Sequence, residues 1–215
     1  MYYSAAVRHL KRVDPVMRRI IERVGPCRLS ERVHTNRLRA LVTAIIAQQI
    51  SWAAARTVEA RFCALYGCDS TNRRSKYPRP EQILATPARR LRAVGLSRQK
   101  VRYIRDIAAR SANGALPLAR LGRMRDDAVI ECLTAVKGIG RWTAEMFLIF
   151  SLGHPDVLPV DDLGVQHAMR MAYGLRKLPS EKKMIEIGER WRPHRSVATW
   201  YLWRSRREQT SAVKK

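Results

Sequence analysis

Three observations predict an all-α fold. Apolar residues recur at spacings of three and four along most of the 215-residue chain, and no stretch shows the every-second-residue alternation of a strand. Gly, Pro, Ser, Asn and Asp stand where the periodic runs begin and end. The length suffices for one compact domain, or for two small helical ones sharing an interface, without a separate large module. No internal repeat is present.

Taken in order, residues 4–24 pair Val7, Leu10, Val13, Met17, Ile20, Ile21 and Val24 on one face, and Pro15 interrupts them, so one amphipathic helix or two short ones is expected. Gly25-Pro26 closes the segment, and Thr35 or Asn36 can cap the next helix. Residues 37–66 are strongly apolar, with Gln48-Gln49 in their middle. These amides either end one helix and start another, with Ser51 as cap, or face something polar. Residues 69–80 hold four basic residues and two prolines without periodicity and read as a surface loop or disordered insertion. Short helices follow, from Glu81 to before Pro87 and from Ala88 to Val94, the latter stopped by Gly95. Ser97 then caps a helix carrying Val101, Ile104, Ile107 and Ala108. A loop at 111–118 leads to a helix over Arg125–Ala135.

Charge narrows the function. Lys and Arg number 42 against 18 Asp and Glu, a net charge of +24. A field of that sign favours a polyanionic partner, a nucleic acid above all; a ribosomal-type basic protein is the blander alternative. Cys27, Cys63, Cys68 and Cys132 are scattered without CxxC spacing, which gives neither zinc nor an iron–sulfur cluster its ligands and suits reduced thiols in an intracellular protein. Arg8 and Lys11 interrupt the N-terminus before a signal peptide or membrane span can develop.

The chemistry concentrates between Leu133 and Gly174. Gly138-Ile139-Gly140 joins two helices so tightly that at least one glycine is expected at positive φ. The amides after the turn can hold an anion such as phosphate, with Lys137 and Arg141 on either side. Val160-Asp161-Asp162-Leu163 follows an extended apolar approach and opens a helix running through Val165, Ala168, Met169 and Tyr173. One aspartate can cap that helix, which leaves its neighbour for another task. A carboxylate held ionised at a helix start is suited to activating water or facing a developing cation. Toward the C-terminus Trp191, Trp200, Tyr201 and Trp203 crowd together; Trp191 and Trp200 read as core, and His194 beside Pro193 as structural. Trp142, on the hairpin helix, is a candidate to stack on a flipped base.

These residues are specific enough to carry a resemblance. The run Leu133-Thr134-Ala135-Val136-Lys137-Gly138-Ile139-Gly140-Arg141-Trp142-Thr143-Ala144, followed by Val157-Leu158-Pro159-Val160-Asp161-Asp162-Leu163-Gly164, resembles the helix-hairpin-helix glycosylases that carry a Gly/Pro-rich loop and an aspartate. Within them it looks like the 3-methyladenine DNA glycosylase II branch, with further agreement at Ile46–Ser51, Gly95–Lys100 and Trp191–Ser196. The resemblance implies that Asp162, twenty residues after Trp142, is catalytic and supports base loss through an oxocarbenium-like sugar. It places Trp142, Met146 and Trp203 in the base pocket, Met146 where the family often has tyrosine. Gln48 and Gln49 become the turn that enters the minor groove. Ser97, Lys100, Lys137, Gly138, Ile139, Gly140, Arg141 and Thr143 become DNA contacts. Relatives that also cut the strand carry a lysine at the position of Trp142, so a simple hydrolase is implied.

The expected architecture is two helical subdomains with a cleft between them and no N-terminal β domain. One subdomain spans 1–35 plus 154–215; the other spans 36–153 and includes the hairpin at 133–150. No metal or cofactor is expected, the hairpin backbone being a candidate place for a monovalent cation. The expected partner is double-stranded DNA with damaged bases, bound by a monomer away from membranes, in the nucleoid or nucleus. A non-catalytic DNA-binding hairpin protein and a bifunctional glycosylase/lyase are the alternatives.

Overall fold

The computed structural model describes residues 3–32, 36–72 and 75–212. Among them lie twelve α-helices, short 3-10 and π turns, and no strand. None of these helices is long and apolar enough to cross a membrane. The chain divides into two compact units. One comprises Met1–Val33 together with Leu148–Lys215, and the other His34–Phe147.

In the first unit Pro15 does split the N-terminal amphipathic run, into α1 (Ser4–Val13) and α2 (Pro15–Val24). Asp14 sits at the break and caps α2, its Oδ1 accepting the Val16 and Met17 amides at 2.8 and 3.1 Å. The unit is completed by α10 (Leu163–Ala172), α11 (Glu181–Glu189) and α12 (Arg195–Ala212), and α12 packs against both α2 and α10. Met17, Ile20, Ile21, Val165, Met169, Trp191 and Tyr201 are buried there.

The second unit is built from α3 (Arg37–Ala47), α4 (Trp52–Ala64), α5 (Pro80–Ala85), α6 (Ala88–Ala93), α7 (Arg98–Ala112), α8 (Asp126–Thr134) and α9 (Arg141–Phe147). α7 is its spine and touches α3, α5 and α6 with Val101, Ile104, Ile107 and Ala108 buried. Asn36 caps α3 by accepting the Arg39 amide at 2.9 Å; the other candidate cap, Thr35, lies outside the described residues.

The described part of 69–80 takes the surface-loop alternative, without helix or strand up to Arg79, and buried groups tie it down. The Arg39 guanidinium donates to the carbonyls of Ser70 and Asn72 and pairs with Glu59, while Tyr77 is buried and stacks on Phe62. Arg73 and Arg74 lie outside the described residues. The second boundary between the units falls at Leu148, not at 154. After α9 the backbone widens into a π turn, Leu148–Leu152, and that turn delivers Phe150 onto Trp203 of α12, ring centroids 5.5 Å apart.

Candidate functional site

In the first unit the approach to the aspartate pair is clamped before it reaches the helix. Arg195 grips Asp156 with Nε to Oδ1 at 2.8 Å and Nη2 to Oδ2 at 3.0 Å, and Arg192 adds Nη1 to Oδ2 at 2.8 Å. The Ser196 hydroxyl donates to the His154 carbonyl at 2.7 Å and accepts the Val157 amide at 3.0 Å. The Trp191–Ser196 segment therefore anchors the loop 154–160. His194 meets the edge of His9 and takes no place beside Asp162 among the described contacts. Burial, and then the neighbouring His9, push the His194 imidazole below its ordinary 6.5, with Asp156 pulling the other way.

At the end of that loop Asp162 caps α10. Its Oδ1 accepts the Val165 amide at 2.7 Å and the Trp203 indole N–H at 3.0 Å, and the residue is only 8 % exposed. Asp161 beside it is exposed. The cap and the residue implied to be catalytic are thus the same aspartate, whereas the sequence alone suggested dividing the two jobs between neighbours. A side chain at Gly164 would meet Asp162 Oδ1 at 2.9 Å, Trp203 Cδ1 at 3.3 Å and Arg206 Nη1 at 3.4 Å, so carboxylate, indole and guanidinium surround one point on the first turn of α10. The arrangement holds one rotamer of a carboxylate at a positive helix end, where negative charge is favoured.

A second cluster supports this helix from behind and has no counterpart in the sequence reading. Asp14 is 1 % exposed, and besides capping α2 its Oδ2 accepts the Tyr173 hydroxyl at 2.6 Å and the Trp191 indole N–H at 2.9 Å. Burial, and then the Asp14 carboxylate, push the Tyr173 phenol far above its usual range. The cluster ties α2, the end of α10 and the Trp191 segment to a single buried charge. An Asp before a Pro signals a helix start; its long-range partners leave no trace at residue spacing.

In the second unit three of the implied DNA-binding segments are hydrogen-bonded to one another. Gln48 donates from Nε2 to the Gly138 carbonyl at 2.8 Å, joining the α3–α4 turn to the hairpin. Lys100 donates to the carbonyls of Ile46 and Gln48 at 2.8 and 2.7 Å, and desolvation lowers its ammonium pKa. The ammonium is thereby engaged with the turn behind Gln49. Ser97 caps α7, accepting the Lys100 amide at 3.2 Å. Gln49 is exposed and holds a left-handed φ of 58°, a conformation few side chains adopt.

Of the hairpin glycines, Gly138 has the positive φ, 83°, and a Cβ there would land within the Tyr103 ring. Gly140 has open space above it. Ile139 is buried and its amide donates to the Val136 carbonyl, and the Lys137 amide donates to Asp106, so both of these amides, before and within the turn, are engaged inside the protein. Arg141 pairs with buried Glu145 at 3.1 Å while remaining largely exposed, and the Lys137 side chain is exposed. The carbonyls of Val136 and Gly138 each already accept one N–H, which leaves a monovalent cation only their second lone pairs. Trp142 is 48 % exposed, with Thr143 and Met146 half-buried on the same helix. Among the described residues no group of three or more His, Cys, Asp or Glu side chains could hold a metal ion.

Comparison with known proteins places the chain in a family. The family model for the HhH-GPD superfamily, base excision DNA repair proteins, matches residues 42–193. DNA-3-methyladenine glycosylase 1 of Schizosaccharomyces pombe is 33 % identical over 199 residues, which cover 92 % of this chain and 85 % of the relative. The alkylbase DNA glycosidase-like protein mag2 of the same yeast is 30 % identical over 202 residues, 94 % and 92 % of the two chains. Among solved structures, that of the Schizosaccharomyces pombe 3-methyladenine DNA glycosylase in complex with abasic DNA superposes with a TM-score of 0.76 at 34 % identity, covering 93 % of this chain and 95 % of that one.

Proposed function

Since the chain belongs to the HhH-GPD superfamily of base excision DNA repair proteins, we propose that it is a monofunctional DNA glycosylase of the 3-methyladenine II type. Its substrates are alkylated purines in duplex DNA, such as 3-methyladenine and 7-methylguanine. The observation that carries this reading is the capped, nearly buried Asp162 under the Trp203 indole. The damaged base leaves with the electron pair of its glycosidic bond, which cancels the positive charge that alkylation placed on the ring. The sugar is left cationic at C1′. The Asp162 carboxylate at the helix end stabilises that cation and orients a water that adds to C1′ and passes a proton to the carboxylate. Trp142 and Trp203 offer π faces to an electron-poor base.

The tryptophan at 142 supports hydrolysis without strand cleavage, because an indole supplies no amine for a Schiff base. Lys137, Arg141 and the hairpin hold backbone phosphates, Gln49 enters the minor groove, and no cofactor takes part. The protein works as a monomer wherever the cell keeps its DNA.

The test is release of bases from alkylated duplex DNA, each product identified by mass, with borohydride trapping on abasic DNA run in parallel. Released 3-methyladenine or 7-methylguanine without a trapped adduct is the expected result. A trapped adduct would overturn the monofunctional reading, and intact DNA would overturn the enzymatic one.

A further inference from the structure

At 71 % exposure Trp52 stands further into solvent than any other large apolar side chain among the described residues. A tryptophan is the costliest side chain to leave wet and the most productive to cover, so such exposure asks for an occupant. Its place in the fold says which. Trp52 is the first residue of α4, directly behind the Ser51 cap and three residues after Gln49. Ile50 beside it is 39 % exposed, and Arg56, one helical turn further along α4, is exposed and cationic.

The segment is also stiff. The two carbonyl bonds from Lys100 and the Gln48 bond to the Gly138 carbonyl hold the turn behind it, so Trp52 is presented with little ordering left to do on binding. A cationic side chain beside an exposed indole, on a chain of net charge +24, fits a polyanion that also offers flat apolar faces.

We propose that Trp52 is a second DNA-reading side chain next to Gln49, and that it stacks on a base face exposed where the damaged nucleotide has left the helix. Intact B-form DNA keeps its base faces covered by stacking, whereas a duplex with an empty position exposes them. Trp52 therefore adds discrimination for the gapped duplex and little affinity for the intact one. This rests on the glycosylase reading above and extends it to a residue outside the hairpin, the pocket and the Gln48–Gln49 turn.

The experiment measures dissociation constants of the full chain, as wild type, Trp52→Ala and Trp52→Phe, for an intact duplex and for the same duplex carrying a tetrahydrofuran abasic site. Trp52→Ala should lose roughly tenfold, about 1.4 kcal/mol, on the abasic duplex. It should stay within about twofold of wild type on the intact one, and Trp52→Phe should recover most of the loss. Equal affinity of Trp52→Ala and wild type for the abasic duplex, or an equal loss on both duplexes, overturns the proposal. Wild type that prefers the abasic duplex but releases no methylated base refutes the glycosylase reading and leaves this one standing. Wild type without that preference refutes this proposal, whereas the glycosylase reading stands or falls on base release.

Discussion

Replacing Asp162 by Asn removes the charge and keeps the cap. Oδ1 accepts the Val165 amide at 2.7 Å and the Trp203 indole at 3.0 Å, and an asparagine carbonyl can take both. Asp and Asn are nearly equal as caps, so the stability change is limited to the lost charge–dipole attraction, about 0.3–1 kcal/mol. For a chain of this size that moves Tm by roughly 1–4 °C. Catalysis should fall much further, because a carboxylate facing the sugar cation acts only as the bond breaks. The loss of one preorganised electrostatic partner amounts to about 3–4 kcal/mol, roughly 10²–10³ in rate. Asp162→Ala should lose the same rate and about 1 kcal/mol more stability, with the cap gone. Asp161→Asn, at the exposed neighbour, should change neither. The assay is single-turnover release of 7-methylguanine from methylated duplex, with Tm measured on the same preparations. An Asp162→Asn enzyme within tenfold of wild type, or an Asp161→Asn enzyme equally impaired, would refute the assignment.

Three further outcomes follow from the geometry. Asp14→Ala strands the buried Tyr173 hydroxyl and Trp191 indole and removes the α2 cap, so stability should fall by about 3 kcal/mol or more, read as a Tm drop of roughly 6–12 °C. The hairpin glycines should behave oppositely. Gly138→Val, forced against Tyr103 at positive φ, should destabilise by about 2 kcal/mol or more, while Gly140→Leu, with open space above it, should leave Tm unchanged and weaken binding to undamaged duplex. Unchanged affinity in Gly140→Leu would reduce the hairpin to a structural turn. His194 is held below its ordinary 6.5 by burial and then by His9. The unfolded chain therefore binds the proton more readily, so the contribution is intact above pH 6.5 and is lost as pH falls toward the folded value. His194→Gln should flatten the acid side of a Tm-against-pH curve.

Local chemistry was legible because its rules are local. Pro15 splitting the first helices, Ser51 and Ser97 as caps, the glycine at positive φ in Gly138-Ile139-Gly140, and buried Trp191 and Trp200 all follow from periodicity, capping and backbone freedom within a few residues. So did the all-α class, the taste for polyanions and, through the motifs, the family. Tertiary packing decided what depends on partners far along the chain. It made Asp162 both cap and candidate catalyst, and gave Lys100, expected as a DNA contact, the carbonyls of Ile46 and Gln48 to hold. It pinned the 69–80 segment through Arg39 and Tyr77, and gathered Tyr173 and Trp191 around Asp14 across more than 150 positions. The physical reason is that a buried donor or charge must find a partner wherever the fold brings one, and residue spacing does not record which distant group that will be.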